Sequence, residues 1–135
     1  MIRTALLATS AVCALSGPAA AELTGTALDD EVDGTTFEGY GARNDERADT
    51  RGTVLILHDW DGLTDYEMQR ADMLAALGYT AFALDVYGKD NRPTSMDENR
   101  ARSGELYADR ELFRARLMGS LDAAQGLEGT PEGTV

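Results

Sequence analysis

The sequence has one cysteine, one histidine and, in Lys89, one lysine, and each scarcity removes a class of chemistry. A lone cysteine allows no disulfide scaffold, and one histidine leaves carboxylates as the only other metal ligands. Asp59, Asp61 and Asp65 do not space like a calcium loop closed by glutamate at its twelfth position. Lys89 is followed by Asp90, so no Gly-Lys-Ser/Thr phosphate loop exists, and Gly39-x-Gly41 lacks the further glycine of a dinucleotide fingerprint. No metal and no cofactor is expected. Positive charge is scarce too: 12 Lys and Arg stand against 24 Asp and Glu, for a net charge of −12. Such a surface repels a phosphate backbone, which argues against nucleic acid as a partner.

What is present begins with an export signal. Residues 1–21 carry Arg3, then the apolar stretches Ala5-Leu-Leu-Ala8 and Ala11-Val-Cys-Ala-Leu15, then the small-residue site Ala19-Ala20-Ala21. This is the pattern of a secretory signal peptide cleaved before Glu22, and it places the product outside the cytoplasm, secreted or periplasmic. The apolar run is too short for a membrane span and is broken at Ser16 to Pro18, so no stable membrane association is expected after cleavage. Cys13 follows Val12 rather than a small residue, which speaks against lipid attachment. Cleavage removes Cys13 and leaves residues 22–135 without any thiol.

Those residues read as one α/β unit. Asp33-Gly34 suits a tight hairpin turn, with Thr36 to Tyr40 as a strand of an exposed two-stranded edge, and the polar stretch Gly41 to Gly52 is expected as a loop. Thr53 to Leu57 is a continuous apolar run, as in a parallel strand covered on both faces. Thr64 with Glu67 forms a capping box that opens a helix faced by Met68, Ala71, Leu74, Ala75 and Leu77, and Gly78 stops it. Tyr79 to Val86 is a second apolar run, so strand, helix and strand make a parallel βαβ unit. Ser95 with Glu98 predicts another capped helix. From about Asp109 a third shows Phe113, Leu117, Leu121 and Ala124 on its apolar face, with Arg110, Glu111, Arg114 and Ser120 on the polar side and Gly126 closing it. Glu128 to Val135 leads into a new strand.

In an open α/β sheet ligands bind beyond the carboxyl ends of the parallel strands, which here are the loops His58 to Gly62 and Asp85 to Gly88. For acyl transfer on such a sheet, one oxyanion donor is a backbone N–H from the loop after an early strand, and Asp59-Trp60-Asp61-Gly62 is placed to supply it.

Val54-Leu-Ile-Leu-His-Asp-Trp-Asp-Gly-Leu63, the helix Arg70-Ala-Asp-x-Leu-Ala75, and Leu77-Gly-Tyr-x-Ala-x-Ala-x-Asp-x-Tyr-Gly-Lys89 together resemble the dienelactone hydrolase family. Asp33-Gly-Thr-Thr-Phe-Glu-Gly-Tyr40, Leu106-Tyr-Ala-Asp-Arg110 and Arg114-Ala-Arg-Leu117 extend the likeness across residues 31–127. The resemblance implies a three-layer α/β-hydrolase fold, represented by its first hairpin, first parallel βαβ unit and following helices. It also implies an enzyme like carboxymethylenebutenolidase, hydrolysing small-molecule esters or lactones through a cysteine or serine nucleophile.

By the same resemblance Asp59 takes the position of an acid beside the nucleophile, and Trp60 that of the residue whose N–H contributes to the oxyanion hole. Tyr87 and Arg100 are candidates for substrate binding, Arg100 with Arg92 and Arg102 for a substrate carboxylate. The plainer readings are a solvated loop aspartate, packed loop aromatics and helix arginines paired with Glu98 and Glu105. Asp85 is expected to tie its loop to backbone amides. His58 precedes any nucleophile, whereas the fold's order is nucleophile, acid, histidine, so His58 reads as a structural strand-end residue. No Gly-x-Ser-x-Gly or Gly-x-Cys-x-Gly occurs in the 135 residues. They therefore read as the amino-terminal part of such an enzyme, cut before its nucleophile elbow and inactive alone. The alternative is a non-catalytic binding or interaction module.

Overall fold

The computed structural model describes residues 23–47 and 49–127. The export signal expected over residues 1–21 and the strand expected after Glu128 lie outside them. Strand β1, Leu23–Val32, and β2, Thr35–Asn44, form a long antiparallel hairpin paired from Leu23 opposite Asn44 to Val32 opposite Thr35. Its turn is Asp33-Gly34, with φ of 51° and 77°, the two positive values that an Asp-Gly hairpin turn supplies most readily.

The remaining elements are β3, Thr53–Leu57; α1, Asp65–Ala76; β4, Thr80–Leu84; α2, Met96–Ala108; and α3, Arg110–Gln125. The sheet order is β1-β2-β4-β3. β3 and β4 pair in parallel from Thr53 opposite Thr80 to Leu57 opposite Leu84, as a βαβ unit requires.

Two expectations about the hairpin fail. β2 does not end at Tyr40 but runs on to Asn44, and it is no edge: Tyr40 to Ala42 pair antiparallel with β4. The reason is close packing. Gly41, where the loop was expected to begin, lies opposite Phe82 of β4, and a Cβ there would meet the Leu127 side chain at 2.8 Å, so glycine here admits a neighbour rather than turning the chain.

Strand alternation divides the core into two. Ala81 and Ala83 of β4 and Ile56 of β3 face α1, where Ala71 and Ala75 are fully buried. Phe82 and Leu84, with Leu55 of β3, face the other side, against Leu106 of α2 and Phe113, Leu117 and Ala124 of α3. One sheet lies between α1 and the pair α2 and α3, a three-layer arrangement. Alanine on the α1 side lets that helix approach closely, while Phe82 fills the deeper space opposite.

β4 has a partner on each side and is buried throughout, but β3 is only half-buried and Leu57 is 48% exposed. Both faces of β3 carry packing, Ile56 toward α1 and Leu55 toward the opposite layer, but laterally it is an edge among the described residues, with β4 as its one partner.

The helix starts follow their caps. Thr64 accepts the Tyr66 N–H, and Glu67 accepts the Thr64 N–H at 2.9 Å, completing the box. At α2, Ser95 accepts the Glu98 N–H, but the Glu98 carboxylate reaches Thr94 N–H at 2.6 Å, so that box closes one residue earlier than expected. Asp109 caps α3 through the Leu112 N–H. Ser120, expected on the polar side of α3, is buried at 1% exposure. Positions 113, 117, 120 and 124 alternate steps of four and three, which keeps Ser120 on the apolar stripe. No helix among the described residues is long and apolar enough to cross a membrane.

Candidate functional site

The carboxyl ends of β3 and β4 open onto a crevice of about 610 Å³. Asp59, Trp60 and Tyr87 line it from the strand-end loops, and Leu106, Tyr107, Arg110 and Phe113 from the helices. Its size and mainly apolar wall suit a small organic ligand.

His58 fastens the two loops together. Its ring is buried and accepts the Val86 N–H at Nε2, 3.2 Å away. An amide N–H can only donate, so Nε2 is the bare nitrogen and Nδ1 carries the proton, donated to the Asp59 carbonyl at 2.6 Å. Both ring nitrogens are thus engaged by main chain, and the ring packs 4.7 Å from that of Tyr87. This geometry leaves His58 no nitrogen for a ligand.

Asp85 is the second fastener. Its Oδ1 accepts the amides of Tyr87 at 2.8 Å and Gly88 at 3.2 Å, as expected from the sequence. Its Oδ2 is buried without a hydrogen-bond partner and lies 3.9 Å from Arg92 Nε. The loop so held presents the Tyr87 hydroxyl, which donates to the Trp60 carbonyl at 3.1 Å. Burial first, then the charges of Asp59 and Asp61, raise the Tyr87 hydroxyl above its ordinary value, which keeps it a donor.

The outer loop is different in kind. Asp59, Trp60 and Asp61 are exposed, and Gly62 turns the chain at φ 87° into α1. Asp61 donates its N–H to Asp59 Oδ1 at 3.3 Å. The two carboxyls also share a hydrogen bond, which with the Asp61 and Trp60 amides holds Asp59 below the ordinary aspartate range and, as its chief cause, raises Asp61. Asp61 is therefore the member of the pair that keeps a proton longer.

Of the residues singled out in the sequence, Asp59, Trp60 and Tyr87 meet at the crevice. Arg100 is not among the residues that line the crevice: the crevice uses the second half of α2, and Arg100 lies one turn earlier, exposed and paired with Asp97 at 3.1 Å. Arg92 and Arg102 are likewise bonded to protein, to Glu38 and Asn91. The cation that does reach the crevice is Arg110, stacked 5.0 Å over the Tyr107 ring. A signal for it existed. A cation in the first turn of a helix opposes the macrodipole, and such a local conflict marks a residue serving something other than its helix. No cluster of three or more histidine, cysteine or acidic residues suited to a metal occurs among the described residues.

A mixed sheet in the order β1-β2-β4-β3 between helical layers, with a crevice at the ends of its parallel strands, is part of an α/β-hydrolase fold. The sequence model of the dienelactone hydrolase family matches residues 37–132, and the chain belongs to that family. Among solved structures, m3DLH is 25% identical with a TM-score of 0.76, over 82% of this chain and 46% of its own. A dienelactone hydrolase-like promiscuous phosphotriesterase from metagenomic libraries is 25% identical with a TM-score of 0.75, over 81% of this chain and 45% of its own. A dienelactone hydrolase from Anabaena variabilis, 16% identical with a TM-score of 0.56 over 80% and 47%, adds likeness of fold alone. The chain thus spans a little under half the length of these structures. No curated protein matches it.

Proposed function

We propose that this chain supplies the oxyanion-loop half of an exported ester or lactone hydrolase that works by nucleophilic acyl transfer. The observation that carries the reading is the Trp60 peptide, held by the Tyr87 hydroxyl at the mouth of an apolar crevice beyond β3. There the Trp60 N–H would stabilise the negative oxygen that develops as a carbonyl carbon is attacked. Asp59 stands beside the position for a nucleophile, and the Tyr87 ring walls the acyl site. Nucleophile, acid and catalytic histidine have no candidates within the 135 residues, so the reading takes them to lie in further sequence.

The substrate class includes carboxymethylenebutenolide-type lactones and simple carboxylic esters. Because a similar protein is described as a promiscuous phosphotriesterase, phosphate triesters belong in the same assay panel. Purified protein ending at Val135 is expected to show no turnover of an activated ester above its Trp60 and Asp59 double variant. A coding frame that continues into Gly-x-Cys-x-Gly or Gly-x-Ser-x-Gly, with esterase activity in its product, supports the enzyme. An inactive product of that longer frame would sink it.

A second reading, a non-catalytic binding or interaction module, is favoured by one observation, the edge of β3 that has no partner among the described residues, with Leu57 exposed. A stop codon directly after Val135, with ligand binding in the crevice and no turnover, is its expected signature.

A further inference from the structure

His58 has no nitrogen left for a ligand, yet what its ring holds is the peptide between Asp59 and Trp60. Nδ1–H donates to the Asp59 carbonyl at 2.6 Å while Nε2 accepts the Val86 N–H at 3.2 Å. A trans peptide unit is planar, so its C=O and N–H point in opposite directions. With the Asp59 carbonyl turned onto a buried ring, the Trp60 N–H of the same peptide is turned away from that ring. The next carbonyl, that of Trp60, accepts from the Tyr87 hydroxyl at 3.1 Å, and the His58 and Tyr87 rings lie 4.7 Å apart. Both carbonyls flanking the Trp60 α-carbon are therefore held by one pair of rings. The far side of the His58 ring is anchored as well, because the Val86 carbonyl accepts from Arg116 Nη1 of α3 at 2.8 Å.

We propose that His58 is a positioning residue, which aims the Trp60 N–H and strengthens it as a donor to the substrate's oxyanion. The proposal rests on the oxyanion role of Trp60 given above. Aiming follows from the fixed carbonyl. Strengthening follows because a hydrogen bond accepted by a peptide carbonyl draws electron density from its nitrogen, and hydrogen bonds in such a chain reinforce one another by about 10–30%. Only the tautomer with its proton on Nδ1 can do this, and the Val86 N–H at Nε2 selects it. Asp59, Trp60 and Asp61 are exposed, so the aim comes from the buried ring behind them and not from packing of the loop itself.

His58 is the one histidine in the chain, so its ring can be read directly in the isotope-labelled purified protein. A long-range proton–nitrogen spectrum in mildly alkaline buffer is expected to show Nδ1 protonated and Nε2 bare; the opposite tautomer overturns the proposal. Two variants then separate the two bonds. His58→Asn can put an N–H donor where Nδ1 stands but no acceptor at Nε2, and His58→Gln can put a carbonyl oxygen at Nε2 but no donor at Nδ1. The Trp60 amide resonance should shift in the Gln variant and keep its place in the Asn variant, with the Val86 amide doing the reverse. A Trp60 amide unmoved in His58→Gln, or moved equally in both variants, overturns the aiming. In the product of the longer coding frame, His58→Gln should lower kcat roughly tenfold at unchanged KM, and His58→Asn should recover most of it. A plain loss of folding would not divide the variants in this way. No ester turnover by the longer product would sink the hydrolase reading and this role with it, whereas turnover that His58→Gln leaves unmoved overturns the role alone.

Discussion

Asp59-Trp-Asp-Gly62 and Asp85-Val-Tyr-Gly88 are nearly the same device built twice, once in water and once in the core. Each follows a parallel strand, directly or after one residue, each ends in a glycine with positive φ, and each has an aspartate that accepts the N–H two residues on. The inner copy is wholly buried, and its carboxylate takes a second amide, that of Gly88. The outer copy exposes Asp59, Trp60 and Asp61 and has the longer hydrogen bond. Burial therefore decides whether the turn fastens or serves: the same hydrogen bond is costly to lose where water cannot replace it and cheap to exchange where water can.

The sharpest way to break this comparison is to make the same substitution in both copies. Asp85→Ala leaves two buried amide donors without an acceptor and should lower stability by about 3 kcal/mol, read as a drop in urea midpoint at unchanged slope. Asp59→Ala should change it by less than about 0.5 kcal/mol. Equal effects would mean that burial is not the deciding difference. Next in size, His58→Phe keeps a ring in place but strands the Val86 N–H and the Asp59 carbonyl. It should cost about 2 kcal/mol in the same measurement. A loss near zero would show that the two loops are not fastened through that ring.

The sequence made one half of this pair easier to read than the other. Turn and cap chemistry is local, so Asp33-Gly34, Thr64 with Glu67, and the amide-binding role of Asp85 were all legible in a few adjacent residues. The family resemblance added Asp59, Trp60 and Tyr87, which do meet at one crevice. What depended on distant neighbours was misjudged. β2 reads as a strand ending at Tyr40 because the partners that carry it further, Ala81 and Phe82 of β4, are distant in sequence. Ser120 was assigned by its hydroxyl rather than by its place in the stripe. A charge on a helix reaches a crevice only if its own turn faces it, and in this fold Arg110 lines the crevice while Arg100 pairs with Asp97.

Tyr87→Phe tests the link between the two copies, since its hydroxyl is the hydrogen bond from the inner loop to the Trp60 carbonyl of the outer one. Removing it should cost about 1 kcal/mol and shift Trp60 emission, because the indole's peptide is no longer fixed. A variant with unaltered emission and stability would separate the loops and weaken the positioning of Trp60.

The smallest effect concerns why the inner copy tolerates an aspartate at all. Half-buried Asp30 on β1 has an Oδ2 without a hydrogen-bond partner, and its carboxyl is raised above the ordinary 3.8 by burial first and then by the charge of Asp85. A raised acid binds its proton more tightly in the folded than in the unfolded chain. Below pH 3.8 both states hold the proton and Asp30 costs nothing; as pH rises from there through the folded value the chain loses stability, and at neutral pH the loss is complete. Asp30→Asn removes that loss, so the variant should match the parent at low pH and exceed it at pH 7. The gain should be under about 1 kcal/mol, because solvent screens a half-exposed group. Urea midpoints of both proteins across this range measure it. An Asn variant less stable than the parent at pH 7 would show that ionised Asp30 carries no such cost in the folded chain.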